Sequence, residues 1–276
     1  LMRSSAASDV YKRQDEDLRQ TKVTQPAVFL HSVISALCMG DDFKPEMTAG
    51  HSLGEFSALV AAGALSFEDG LKLVYARAMA MQKACEAQPS TMAAIIALPD
   101  EKVEEICAQV SAEGEVCVAA NYNCPGQIVI SGETEQVKQA ADKLKEAGAK
   151  RAVLLNVSGP FHSSLLTGAG EKLEAVLKEL TIEKPQIPYV ANVDASYITE
   201  QADIMPRLVS QVSHSVRWQQ SVEKMVENGV DTFIEIGPGR TLAGFNKKIA
   251  KAIGKELTTY NVATMEDIDK VVEALK

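Results

Sequence analysis

The chain has 276 residues, of which 46% are hydrophobic and 24% are charged. This balance is that of a globular protein and excludes a collagen, a disordered tail or a disulfide scaffold. The formal net charge of −9 argues against a nucleic-acid partner, because neutralising phosphates requires a basic face. The apolar runs are far shorter than a membrane span, which argues against a membrane partner.

The cysteines indicate a reducing compartment. There are five of them, an odd number, and no C-x-x-C pair occurs. Disulfide frameworks use even numbers of cysteines, and structural zinc sites commonly use C-x-x-C pairs. The sequence therefore predicts neither kind of site and favours a cytoplasmic location.

The first fourteen residues, LMRSSAASDVYKRQ, differ in character from the rest of the chain. They begin without methionine and show no sustained periodicity. They resemble a translated library or adapter junction, so we exclude residues 1–14 from the fold prediction. We expect the natural N-terminus to be missing.

From Thr24 onwards the hydrophobic pattern becomes regular. Pro26 is predicted to lie in the first turn of a helix that opens at Thr24 and ends before Gly40. The predicted elements that follow are a buried strand end over 47–50, a helix over 55–62, and a helix from Ser66 to about residue 85.

The segment 89–157 has a different rhythm and is predicted to form an inserted subdomain. Its predicted elements, in order, are a strand over 92–98, a helix over 101–112, strands over 116–122 and 127–131, a helix over 133–147 and a strand over 151–157. The order β-α-β-β-α-β is the split unit of ferredoxin-like domains.

Residues 15–88 and 158–276 are predicted to form one discontinuous α/β core. After His162 the predicted helices cover 165–180, 203–212 and 218–228, and the predicted strands cover 187–193, 232–236 and 258–262. Such alternation indicates a mostly parallel sheet between helices.

A serine nucleophile is predicted at Ser52. The segment from Gly50 to Gly54 reads G-H-S-L-G, which matches G-x-S-x-G. In this motif glycines permit a tight strand-to-helix turn that lifts the serine hydroxyl clear of the sheet. The main-chain N–H of Leu53 would then face the reaction centre as an oxyanion donor. The alternative is an ordinary serine N-cap after a glycine turn.

A serine nucleophile needs a base, and the chain has four histidines. His31 falls within a predicted helix, and His51 adjoins Ser52, so its side chain is expected to point away. His162 lies in a loop after a predicted strand, where catalytic groups commonly occur. His214 could instead complete a triad with Ser52 and Asp194. Spacing alone does not choose between His162 and His214.

Arg77 is the third candidate functional residue. It falls on the shoulder of the apolar face of the helix that starts near Ser66. An arginine in that position needs an anionic partner or a path to solvent. A bound carboxylate would satisfy its planar guanidinium with two hydrogen bonds. The alternative is an arginine that reaches solvent and pairs with a nearby acid.

Several motifs occur together and in a characteristic order. They are T-Q-P-A at 24–27, G-H-S-L-G-E-F-S-A-L at 50–59, N-Y-N-C-P-G-Q at 121–127, G-P-F-H-S at 159–163, V-R-W at 216–218 and I-G-P-G at 236–239. From about Thr24 to near its end, the chain resembles the malonyl-CoA:acyl-carrier-protein transacylases, which load malonyl groups for fatty-acid synthesis. The resemblance implies a hydrolase-like α/β core with an inserted ferredoxin-like subdomain.

The resemblance also implies roles for particular residues. Ser52 becomes the nucleophile, His162 the general base and acid, and Arg77 the clamp for the malonyl carboxylate. The family orients its histidine through a main-chain carbonyl, and Gln211 falls at that position. Asn121 and Gln127 would line the mouth of the site. Phe161, just before the histidine, resembles the malonyl-selective form of related acyltransferase domains.

By the same resemblance, malonyl-CoA and the phosphopantetheine of an acyl carrier protein are substrates, and no cofactor or metal is required. The rival predictions are a serine esterase or thioesterase and an inactive carrier-protein-binding fragment. The sequence departs from the family in lacking its opening strand and G-Q-G-S-Q loop, which supplies a second oxyanion donor. We therefore expect a truncated enzyme that turns over poorly.

Overall fold

Residues 20–157 and 159–275 are described by a computed structural model of the chain. The predicted junction at 1–14 lies outside the described residues. Helices of the first half are α1 (Thr21–Cys38), α2 (Gly54–Ala61), α3 (Phe67–Ala87), α4 (Asp100–Glu113) and α5 (Thr134–Glu146). Those of the second half are α6 (Thr167–Leu177), α7 (Ile204–Ser213), α8 (Trp218–Glu227), α9 (Thr241–Ala252) and α10 (Met265–Ala274).

The strands form three sheets within the described residues. They are β1 (Thr48–Ala49), β2 (Ser90–Ile96), β3 (Cys117–Cys124), β4 (Gln127–Glu133), β5 (Arg151–Leu154), β6 (Tyr189–Val190), β7 (Tyr197–Ile198), β8 (Thr232–Ile236) and β9 (Thr258–Val262). β1 runs parallel to β6 and β8 runs parallel to β9, whereas β7 is antiparallel to β6. The alternation of helices with parallel strand pairs agrees with the predicted α/β core.

Strands β2 to β5 form a separate antiparallel sheet in the order β3-β4-β2-β5. Helices α4 and α5 cover it, and the enclosed core includes Ile95, Val110, Ile130 and Leu144. This order and the β-α-β-β-α-β sequence are those of a ferredoxin-like unit, as predicted. All four strands lie within the predicted 89–157 subdomain, whose limits stay a prediction.

The ferredoxin-like sheet is joined to the core by a main-chain bridge between β3 and the segment before α8. The N–H of Tyr122 on β3 donates to the Val216 carbonyl at 2.9 Å, and the N–H of Val216 donates to the Ala120 carbonyl at 2.9 Å. A main-chain bridge of this kind fixes the register of β3 against the segment before α8.

Several elements differ in their limits from the sequence predictions, and β5, predicted over 151–157, ends at Leu154. Helix α1 begins at Thr21, so Pro26 lies in its second turn rather than its first. The strand predicted over 187–193 is reduced to β6, because its hydrophobic run continues into a turn. Helix α10 was missed although Thr264 forms a capping box with Asp267, the local signal that could have identified it.

The apolar interior of the core lies against α1, α2, α3 and α6. Phe29, Leu59, Leu73, Leu173 and Tyr189 are among its fully buried members. Within the described residues, no helix combines the length and apolarity that crossing a bilayer requires.

Candidate active site

The G-x-S-x-G turn lies between β1 and α2 and holds Ser52 with φ at 53°. This left-handed backbone is unusual for a residue with a side chain and is typical of a nucleophile turn. A Cβ added at Gly50 would lie 1.9 Å from the Gly54 carbonyl carbon, so glycine is required there. A Cβ added at Gly54 would meet open space apart from its chain neighbours and its own helix backbone. The prediction that both glycines provide room is therefore correct only for Gly50.

Ser52 and His162 are in hydrogen-bond contact. The Ser52 Oγ lies 2.7 Å from the His162 Nε2, and the His162 Nδ1 lies 2.8 Å from the Gln211 carbonyl oxygen. A carbonyl only accepts, so Nδ1 must carry the proton and Nε2 presents its lone pair to the serine hydroxyl. The predicted main-chain carbonyl at Gln211 therefore lies where it sets the tautomer of His162.

His162 is held as a neutral base. It is buried in the loop after β5, with φ at 59°. Burial lowers the pKa of His162 to about 3, and the positive charge of Arg77 lowers it in the same direction. The imidazole is consequently unprotonated at neutral pH and able to accept the hydroxyl proton of Ser52.

Arg77 on α3 points into the same site. It is only 2% exposed, and its Nη2 donates to the Ser52 Oγ at 3.1 Å and to the Gln211 Oε1 at 3.0 Å. Its Nη1 donates to the Gln25 Oε1 at 2.5 Å. Burial lowers its pKa to about 10, which leaves the guanidinium charged at neutral pH.

The interpretation of Arg77 as a surface arginine paired with a nearby acid is wrong. Among residues 20–157 and 159–275, no carboxylate lies within ion-pair distance of its guanidinium. A buried cation without an anionic contact is costly, and a bound carboxylate would relieve that cost. The guanidinium thus lies beside the serine hydroxyl with its charge uncompensated by direct contact.

Asn192 clamps the nucleophile turn and was missed by the sequence analysis. Its Oδ1 accepts from the Ser52 N–H at 2.7 Å, and its Nδ2 donates to the Gly50 carbonyl at 2.7 Å. No local sequence signal identifies it, because its contacts are entirely tertiary. Gln25 and Glu55 were missed as well, although each lies inside a quoted motif.

Leu53 is the N-cap residue of α2 and directly follows Ser52. Its main-chain N–H makes no hydrogen bond within the described part of the chain, as is usual for the first residues of a helix. An N–H at this position, adjoining the serine and aligned with the helix dipole, can hold an oxyanion.

Within the described residues, the side chains of the remaining predicted site residues make no hydrogen bond to Ser52, His162 or Arg77. Phe161, next to His162, packs against both the main core and a small cluster on the ferredoxin-like sheet. Asn121 is buried on β3, where its main chain bridges Val216. Gln127 contacts Lys248 through its Oε1 at 3.4 Å. The placement of Asn121 and Gln127 at the mouth of the site stays a prediction.

The Ser52–Asp194–His214 triad is not formed. His214 is exposed, and its Nδ1 contacts the Ser210 carbonyl at 2.9 Å. Asp194 is also exposed and pairs with Arg207 at 3.0 Å. Neither residue is a hydrogen-bond partner of the Ser52 Oγ, which contacts His162 and Arg77 within the described residues.

The other two histidines have structural contacts, as expected. The His51 Nε2 lies 2.9 Å from the Asn123 Oδ1, so its side chain points away from Ser52 towards the ferredoxin-like sheet. The His31 Nε2 lies 3.1 Å from the Ala263 carbonyl and links α1 to the segment before α10.

Glu55 is a fully buried carboxyl one turn beyond Ser52. Burial raises its pKa from the usual 4.5 to about 8, although hydrogen bonds from Gln211 and Asn192 act to lower it. At a pH between 4.5 and about 8, Glu55 is therefore protonated in the folded chain and ionised in the unfolded chain.

This difference predicts a pH-dependent stability. As the pH rises from about 4.5 to about 8, Glu55 should lower the free energy of unfolding, and this loss should be absent from Glu55→Gln. Urea unfolding of both proteins from pH 5 to 8.5 measures the difference, with Glu68→Gln on the exposed surface as a control for the loss of one negative charge. A constant difference between wild type and Glu55→Gln across this range would contradict a raised pKa.

The chain belongs to the acyl transferase domain family, which matches residues 5–267. Within that family it is similar to malonyl CoA-acyl carrier protein transacylases. The Bacillus subtilis (strain 168) protein of that name is 42% identical over 276 residues, covering 100% of this chain and 86% of the relative. The Haemophilus influenzae (strain Rd) protein of that name is 42% identical over 258 residues, covering 92% and 82% respectively.

A solved structure supports the same assignment. It is a malonyl-transacylase in complex with a type II PKS acyl-carrier protein, and it matches with a TM-score of 0.90 at 37% identity. The match covers 98% of this chain and 89% of the solved one. The predicted family and fold class are therefore confirmed.

Proposed function

We propose that this chain transfers a malonyl group from CoA to the phosphopantetheine thiol of an acyl carrier protein through an ester on Ser52. The observation that carries this proposal is the buried guanidinium of Arg77, whose Nη2 lies 3.1 Å from the Ser52 Oγ. A carboxylate bound there would place the acyl carbon next to the nucleophile. The names of the relatives agree with this substrate.

In the first half of the reaction, the Ser52 Oγ attacks the thioester carbonyl while its proton moves to the His162 Nε2. The oxyanion that forms accepts a hydrogen bond from the Leu53 N–H. The carbon–sulfur bond then breaks, the CoA sulfur takes the proton from His162, and a malonyl-serine ester remains.

In the second half, the phosphopantetheine thiol gives its proton to the His162 Nε2 and its sulfur attacks the ester carbonyl. The bond between the acyl carbon and the Ser52 Oγ breaks, and the serine recovers a proton from His162. Each step uses side-chain and main-chain groups of this chain, so the proposal includes no resident cofactor.

A cytoplasmic location is part of the proposal. It rests on the five cysteines, which are all free in the described structure. Fractionation of cells that express the tagged chain tests the location.

A transfer assay tests the proposed function. The protein is mixed with malonyl-CoA and a holo acyl carrier protein, and the carrier is followed by intact mass. We expect a malonylated carrier, and no product with an apo carrier that lacks phosphopantetheine. Release of free malonate with no malonylated carrier would instead support the esterase or thioesterase.

Arg77→Ala should change acyl selectivity. Removing a buried charged partner from a carboxylate costs about 2–5 kcal/mol, so malonyl loading on Ser52 should collapse. An acetyl group carries no free carboxylate, so acetyl loading from acetyl-CoA should be retained or improved. The ratio of the two loading rates is the measurement, and equal losses for both acyl groups would show that Arg77 is structural.

A further inference from the structure

The side-chain amide of Gln211 contacts three residues of the site at once. Its Nε2 donates to the Ser52 carbonyl at 2.7 Å and to the Glu55 Oε2 at 2.9 Å. Its Oε1 accepts from the Arg77 Nη2 at 3.0 Å. The residue is fully buried, so no water competes for these contacts.

These contacts distinguish between the two orientations of the amide. The guanidinium of Arg77 is a pure donor and must face the amide oxygen, whereas the Ser52 carbonyl must face the amide nitrogen. If the amide were reversed, its NH2 group would face the Arg77 Nη2 donor. The Ser52 carbonyl already accepts from the Glu55 N–H at 3.1 Å, so the carboxyl of Glu55 is the additional acceptor that favours the observed orientation.

We propose that Glu55 is a positioning residue that orients the Gln211 amide and, through it, presents Arg77 to the carboxylate of the acyl group. Glu55 itself is held in place, because it lies in the first turn of α2, three residues after Ser52, and accepts from the Asn192 N–H at 3.3 Å. The link to acyl selectivity rests on the proposed function.

The main chain and the side chain of Gln211 contact different residues of the site. Its main-chain carbonyl holds His162 at 2.8 Å and does not depend on the orientation of the amide. Its side chain holds Arg77. Loss of the Glu55 contact should therefore weaken carboxylate binding and leave the reactivity of Ser52 with His162 largely unchanged. A purely structural role for Glu55 would affect both properties together.

The experiment compares Glu55→Met, which removes the acceptor, with Glu55→Gln, which keeps an acceptor oxygen without the acidic group. The first measurement is the ratio of malonyl to acetyl loading on Ser52. We expect this ratio to fall about tenfold or more in Glu55→Met. That is the size typical of losing a hydrogen bond to a charged group, here the bond between the Gln211 Oε1 and Arg77. Glu55→Gln should stay within about threefold of wild type, because the acceptor remains.

A second measurement does not depend on acyl transfer. A fluorophosphonate probe labels a reactive serine, and free malonate bound to Arg77 should slow the labelling of Ser52. Glu55→Met should label at close to the wild-type rate but need about tenfold or more malonate for the same protection. This arm keeps the inference testable if malonyl transfer itself is not observed.

Three outcomes would overturn the inference. In the first, the loading ratio and malonate protection stay unchanged in Glu55→Met. In the second, Glu55→Gln lowers the loading ratio as much as Glu55→Met does. In the third, adding Glu55→Met to Gln211→Met lowers the loading ratio and malonate protection further. If circular dichroism shows that Glu55→Met is unfolded, Glu55→Asn replaces it, since its amide is one methylene too short to reach the Gln211 Nε2.

Discussion

Ser52→Ala should abolish formation of the acyl-enzyme while leaving the protein folded. The change removes the hydroxyl that lies 2.7 Å from the His162 Nε2 and 3.1 Å from the Arg77 Nη2. Without a nucleophile no ester can form, whereas the loss of one hydroxyl from a turn has a small effect on stability. Intact mass after mixing with malonyl-CoA measures the effect.

Ser57→Ala is a suitable control, because Ser57 lies on α2 and its side chain makes no hydrogen bond to Ser52, His162 or Arg77 in the described structure. It should load malonate like wild type. Covalent uptake of malonate by Ser52→Ala at the wild-type rate would show that another residue is the nucleophile.

His162→Ala should slow loading of Ser52 by about 10²–10⁴-fold, the usual contribution of a general base. The structure gives the reason, since the imidazole contacts the Ser52 Oγ on one side and the Gln211 carbonyl on the other. Rapid-mixing measurements of CoA release, with malonyl-CoA in excess, determine the rate.

His214→Ala is the matched control. His214 is exposed and contacts the Ser210 carbonyl, so its removal should change the loading rate by less than about twofold, as for a surface substitution. A large loss in His214→Ala together with a small loss in His162→Ala would restore the esterase-like triad.

The sequence predicted local structure well where one segment determines it. Ser66 was identified as the N-cap of α3, and its side chain accepts from the Asp69 N–H as a cap should. The strands over 232–236 and 258–262 were predicted at their observed limits. Pro26 was misplaced by one turn because the helix start at Thr21 has no side-chain cap to mark it.

The site was predictable only in part. Ser52 follows from its motif, but the choice of His162 and the carbonyl of Gln211 rested on the family resemblance, because spacing left His214 open. Asn192 contacts Ser52 across 140 residues of sequence, and Glu55 contacts Gln211 across 156. Such pairings form only when the chain is folded, and periodicity does not reveal them.

The central claim is that malonate passes through an ester on Ser52 on its way to a thiol. The most direct measurement is peptide mapping of the protein after brief exposure to malonyl-CoA, followed by a chase with holo acyl carrier protein. We expect malonate on the peptide that contains Ser52, and its quantitative transfer to the carrier during the chase. Malonate on a different residue, or an ester on Ser52 that is lost to water at the same rate with or without the carrier, would contradict the account.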